Sequence, residues 1–321
     1  MKNFIMSVVP FTSYPYKGDA IDCNLCGSSS KITISETDRR WKNLRTVACT
    51  DCGLMRTDPM PTEAELDRYY RDEYRLDYQM TGGKAPRYHV TRSMREAESR
   101  AQRLDLALRP GVRVLDFGSG TGEFLKVAKD RGCEVAGIEP GKAYAEMARR
   151  AYGVEVIDRP WQQVDFELGS FDVITCHQVV EHLRDPMAAL ARMSQWLKPD
   201  GLLYLSVPDM RANDKPSFER FHFAHIFGFT PETLEVAMRL NGMAPASGTR
   251  LESTTAVFRR YETPTPDVGS IRNPERAQVL AASYGKDSVL QYVLSGGHAR
   301  HAARRFRKWR RDTFMRDAQR A

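Results

Sequence analysis

The sequence predicts an α/β protein built on a doubly wound parallel sheet, with a small cysteine-paired module before it and a basic helical extension after it. Three observations carry this. Short apolar runs alternate with helical patterns from about residue 112 to 207, the rhythm of parallel strands joined by crossover helices. Two CxxC pairs, Cys23/Cys26 and Cys49/Cys52, precede that region. The charge is lopsided: residues 300–321 hold nine basic and two acidic side chains, which accounts for the whole formal charge of +7. The preceding residues, 39 of each sign, balance to zero.

Taken in order, residues 1–60 form the cysteine module, with an alternating stretch at Lys31-Ile32-Thr33-Ile34. Residues 61–110 read as a helical lid or linker. Thr62 is placed as N-cap with Glu65 three residues on, a capping-box pattern, and Tyr69, Tyr70, Tyr74 and Tyr78 follow at helical spacings. A second helix is expected from about His89 to Leu108. Strands are expected at residues 112–116, 134–139, 154–157, 171–176 and 202–207, with helices through Lys129, at 143–151 and at 186–197. Thr230 opens a capped helix to about residue 240, and residues 253–261 supply a late strand that closes the core, drawn at 111–262. Residues 263–321 read as a helical basic extension.

The composition, with 41% hydrophobic and 10% aromatic residues, is that of a folded chain. No apolar run approaches the ~20 residues of a membrane span. No secretory pattern follows the short run Phe4–Val9, and six Cys are too few for a disulfide scaffold. The expectation is a cytoplasmic protein.

The chemistry begins at Asp116-Phe117-Gly118-Ser119-Gly120-Thr121-Gly122, between the first core strand and the next helix. Glycines there let a ligand approach the backbone where a Cβ would block it. The spacing is GxGxG, which departs from the dinucleotide fingerprint and lacks the ending of a phosphate-binding P-loop. Glu139 ends the second core strand, where an acid can accept both hydroxyls of a ribose. This combination reads best as an S-adenosylmethionine site.

At this point the chain resembles the class I S-adenosylmethionine-dependent methyltransferases. Val114–Leu125, Gly137-Ile138-Glu139-Pro140, Phe171–Leu183 and Leu197 through Pro208 are similar to that family's successive motifs, over roughly residues 95–260. The resemblance implies a Rossmann-like methyltransferase sheet. It also implies that the backbone of Phe117, Gly118, Ser119 and Gly120, continuing to Gly122, meets the methionine part, with Asp116 beneath. Glu139 then holds the ribose, Pro140, Trp161 and Gln162 flank the adenine, and His177 and Gln178 floor the methionine end. Tyr74 or Tyr78 would close over the sulfonium through cation–π contact.

A hydroxyl acceptor also needs a base. The candidates are His225 first, then His222, His182 and Glu181. Glu181-His182 resembles the end of the ExxEH metal-binding pattern of ubiquinone O-methyltransferases and small-RNA 3′-end methyltransferases. Gln178 stands where that pattern has its first Glu, which removes an anionic ligand that Mg²⁺ prefers.

Cys23, Cys26, Cys49 and Cys52 have the composition of a closed, structural zinc site. Such a zinc-ribbon-like module before this core resembles methyltransferases of nucleotide-sugar and polysaccharide pathways. The expected activity is therefore O-methylation of a sugar, nucleotide-sugar or glycan-type small molecule. The basic tail, with Phe306 and Trp309 on one helical face, opens two further readings. One is an RNA methyltransferase anchored by the tail, the other a non-catalytic zinc and S-adenosylmethionine-binding module; peripheral contact with an anionic membrane is a further use of the same tail.

Overall fold

The computed structural model describes residues 11–72, 87–211, 217–261 and 272–284, with a few single positions between 294 and 307. Tyr74, Tyr78, Trp309 and most of the basic run lie outside the described residues. Two sheets organise the chain.

The first sheet begins with β1 (Lys31–Thr37), β2 (Asn43–Cys49) and β3 (Met55–Thr57), paired antiparallel. After it, α1 (Glu63–Asp72) opens on the expected capping box. The Glu65 amide donates to Thr62 Oγ1 at 3.2 Å, and the Thr62 amide donates back to Glu65 Oε2 at 2.9 Å. The next helix, α2 (Arg87–Arg103), packs Ala97, Ala101 and the following Leu104 inward.

The second sheet is the doubly wound one. Its strands are β4 (Arg113–Phe117), β5 (Glu134–Ile138), β6 (Glu155–Ile157), β7 (Phe171–His177) and β8 (Leu197–Ser206), all parallel. Between them run α3 (Glu123–Asp130), α4 (Lys142–Tyr152) and α5 (Pro186–Trp196). Asp185 caps α5 by accepting from the Ala188 amide, with Pro186 in the first turn, where its missing N–H costs nothing.

After β8 the chain makes β9 (Phe227–Gly228), α6 (Pro231–Leu240), β10 (Met243–Pro245), β11 (Thr255–Arg260) and α7 (Pro274–Tyr284). The order across the large sheet is β10-β11-β8-β7-β4-β5-β6, with β11 antiparallel to both neighbours. The order reverses between β4 and β7, so the crevice outside their carboxyl ends is the place where such sheets take ligands.

Strand β9, like β10, is an element that sequence patterning did not anticipate. It belongs by sequence to the core, yet it pairs with β3 and completes the first sheet as β1-β2-β3-β9. Two residues are too few to show a period, so no alternation could announce them. Residues of the module and of the core also pack together. Cys23, Cys26, Leu54 and Met60 share a single buried cluster with Phe117, Ile174 and Trp196 of the large sheet. Helix α7 is likewise tied to the module, since the Asn273 amide donates to Asp51 O and Arg272 donates to Cys26 O at 3.2 Å. Cys133 and Cys176 are buried thiols.

Candidate functional site

The glycine turn leaves β4 with three left-handed residues, Gly118 (φ +81), Gly120 (φ +54) and Gly122 (φ +88). A side chain at Gly118 would collide with Val179, and one at Gly122 would come within 2.6 Å of Ala148 Cβ. Above Gly120 nothing lies within 4 Å of where a Cβ would be. That glycine is not forced by packing; it keeps a stretch of backbone bare. Glu139 closes the other side. Its Oε2 accepts from the Gly120 amide at 3.0 Å and its Oε1 from the Gly141 amide at 2.8 Å, so the carboxylate is held at the carboxyl end of β5.

Beneath the turn, Asp116 is fully buried. Burial pushes its pKa up, while Arg100 at 3.2 Å and the Thr175 hydroxyl at 2.6 Å hold it down. Arg100 was not among the sequence candidates. The signal was present: it follows Ala97 by three residues on the apolar face of α2, where an unpaired cation could not sit.

Polar atoms collect around this end of the sheet. Asp116 Oδ2, Ser119 Oγ, Trp161 Nε1 and His177 Nδ1 are buried and have no hydrogen-bond partner among the described residues. Trp161 tilts against Phe117 with ring centroids 6.2 Å apart, on a short 3-10 turn, Trp161–Gln163. Gln162 and Pro140 are exposed. Burial, then Arg100 and Arg92, push the His177 pKa down to about 3, so its ring is neutral at physiological pH. Gln178 is left-handed at φ +57, a conformation that costs a non-glycine residue roughly 1 kcal/mol. Its amide donates to Ser206 O at 2.8 Å and its side chain reaches Ser206 Oγ at 3.4 Å. A bare backbone turn, a fixed carboxylate and orphaned donors and acceptors at a strand switch point fit the S-adenosylmethionine site expected from the sequence.

A second cluster lies beside the first, since Val179 packs over Gly118 and Glu181 follows two residues later. Glu181 is 1% exposed, and neither of its oxygens has a hydrogen-bond partner among the described residues. His182 Nε2 stands 3.8 Å and His225 Nε2 3.9 Å from Glu181 Oε1. The His225 ring is 4.7 Å from that of His182 and 3.9 Å from that of His222. The structure thus brings all four base candidates together.

Burial pushes the Glu181 pKa up to about 8 and the His182 pKa down to about 4. His222 and His225 are driven well below the ordinary histidine value by burial first and then by their charged or imidazole neighbours, including Arg39. At neutral pH the three imidazoles are therefore uncharged, each with a lone pair on one ring nitrogen. The donors of Glu181, His182 and His225 lie within 4.8 Å of one another. One carboxylate and two imidazoles suit a borderline divalent ion better than Mg²⁺, which prefers oxygen ligands. The Gln178 side chain, bonded to Ser206, adds nothing to that set.

The four cysteines of the module converge as well. Their sulfurs all lie within 4.8 Å of one another, with Cys23–Cys52 and Cys26–Cys49 both at 3.5 Å. Four buried thiols around one point fit a tetrahedral ion with no open position.

Residues 88–247 match the family model described as "Methyltransferase domain". The chain is 37% identical over 111 residues to a ubiquinone biosynthesis O-methyltransferase of Xanthomonas oryzae pv. oryzae, covering 32% of this chain and 45% of the relative. It is 32% identical over 102 residues to the protein of the same name in Pseudomonas aeruginosa, covering 30% and 44%. The chain thus spans less than half the length of the curated relatives it matches. Among solved structures it is similar to a Burkholderia thailandensis 1,6-didemethyltoxoflavin-N1-methyltransferase, with TM-score 0.47, 21% identity and coverage of 66% and 96%.

Proposed function

We propose that this chain, whose residues 88–247 match the methyltransferase-domain family model, transfers the methyl group of S-adenosylmethionine to a hydroxyl of a small-molecule acceptor. The observation that carries the reading is the Glu139 carboxylate, fixed by two backbone amides next to a left-handed glycine turn. S-adenosylmethionine supplies a methyl group already activated on a positively charged sulfur. The chain's own residues do the rest. Gly120 offers bare backbone, Glu139 accepts from ribose hydroxyls, and Asp116 braces the turn from below through Arg100 and Thr175. His225, neutral and 3.9 Å from Glu181, takes the acceptor's hydroxyl proton, with His182 and His222 packed around it.

The O-methylation in the names of the relatives supports a hydroxyl acceptor. A sugar or glycan rests on the cysteine module alone, and the relatives' names point elsewhere. The module itself we assign to structural zinc, on four converging sulfurs.

The test is calorimetric titration of S-adenosylmethionine into the full chain. Glu139→Ala removes a charged acceptor of two hydrogen bonds, so affinity is expected to fall roughly tenfold to a hundredfold. Binding that is absent in the native protein, or unchanged in the variant, sinks the reading.

A further inference from the structure

The loop that carries His222 and His225 belongs to the core by sequence but is held by residues of the cysteine module and α1. The Arg39 amide donates to Phe221 O and the Thr57 amide to Ile226 O, both at 2.9 Å. Phe223 stacks on Tyr14 at 4.6 Å and meets the edge of Tyr69 at 4.8 Å. The tightest knot is at Ala224. Its carbonyl lies 2.6 Å from His182 Nδ1 and also accepts from the Tyr70 hydroxyl at 3.1 Å, which in turn lies 3.0 Å from His182 Nδ1.

A carbonyl oxygen has no proton to give. The 2.6 Å contact therefore requires the proton on His182 Nδ1. Tyr70 sits on α1, outside both the glycine turn and the histidine loop, yet it touches both partners of this bond.

We infer that Tyr70 is a positioning residue of the transfer site: its hydroxyl clamps the Ala224 carbonyl to the Nδ1 side of His182, fixing the ring's tautomer and the His225 loop in one act. This rests on the reading of His182 and His225 as acceptor-side groups. Tyr70 itself closes on the base cluster and not on the cofactor turn.

The test uses full-length protein labelled with ¹⁵N-histidine, in native form and as Tyr70→Phe, which keeps the ring and its packing. In the native protein the two-bond ¹H–¹⁵N spectrum should show His182 protonated on Nδ1, with that proton slow to exchange. In Tyr70→Phe its exchange should quicken about fivefold or more, the effect of one lost hydrogen bond on local opening. The backbone amides of Leu115 and Ile174, and S-adenosylmethionine affinity by calorimetry, should stay within twofold. A native proton on Nε2, or unchanged exchange at Nδ1 in the variant, overturns the inference, as does quickened exchange across the whole sheet. Native protein that binds no S-adenosylmethionine defeats the methyltransferase reading instead, whatever the ring spectrum shows.

Discussion

Asp58 is the residue on which the cysteine module's charges converge. It is 1% exposed, with Lys31 and Arg56 on one carboxylate oxygen at 2.7 and 2.8 Å and Arg45 on the other at 2.7 Å. Burial works against the ionised form, but the bonds from Lys31 and Arg56 overcome it and hold the pKa below the ordinary aspartate value. A carboxylate depressed in the folded state contributes stability that is complete above its unfolded pKa, about 4, and is lost as the pH falls through the folded value. Asp58→Asn should therefore cost about 3 kcal/mol at pH 7, because Arg56 is left buried without its counter-charge. Urea unfolding at pH 7 and pH 3 checks this. The difference between native and variant should shrink at the lower pH.

At the scale of elements, the central strands β4 and β7 of the large sheet were legible because each is a short apolar run bounded by turns, and burial on both faces is what such runs record. The same holds for α1, whose start was written in Thr62 and Glu65. Thr62→Ala should lower stability by about 1 kcal/mol, read as a fall in the urea midpoint with an unchanged slope. The glycine turn and Glu139 could be read from spacing because both act through backbone geometry. The histidine cluster could be listed but not assembled, since His182 and His225 are 43 residues apart and meet only through β9 and its loop. Arg100 was missed, and Tyr70 stood out only as one of a tyrosine series, for a related reason. A polar side chain on a helix face shows its partner only when the opposing element is in place.

For the whole molecule, the shared buried cluster matters most. Because Cys23, Cys26, Cys49 and Cys52 pack in the same core as Phe117 and Trp196, the module has no separate interior to unfold. A strong chelator should lower the temperature of one cooperative transition in scanning calorimetry, and no second, earlier transition should appear. Two resolved transitions would mean that the module melts alone. The net charge has little part in this, because the described body is nearly balanced and the excess sits in residues 300–321.

The two-residue pairing of β3 with β9 also sets an order of events during synthesis. β3 ends at Thr57 and its partner begins at Phe227, so the small sheet waits for about 170 further residues to be made before its last edge is covered. Until then the edge of β3 stands open, as unpaired edges do when they recruit the wrong strand. The four sulfurs, all encoded before residue 53, can gather an ion early. On the zinc assignment, the two CxxC pairs are expected to act first in time, holding a half-built sheet in register until the core arrives to close it.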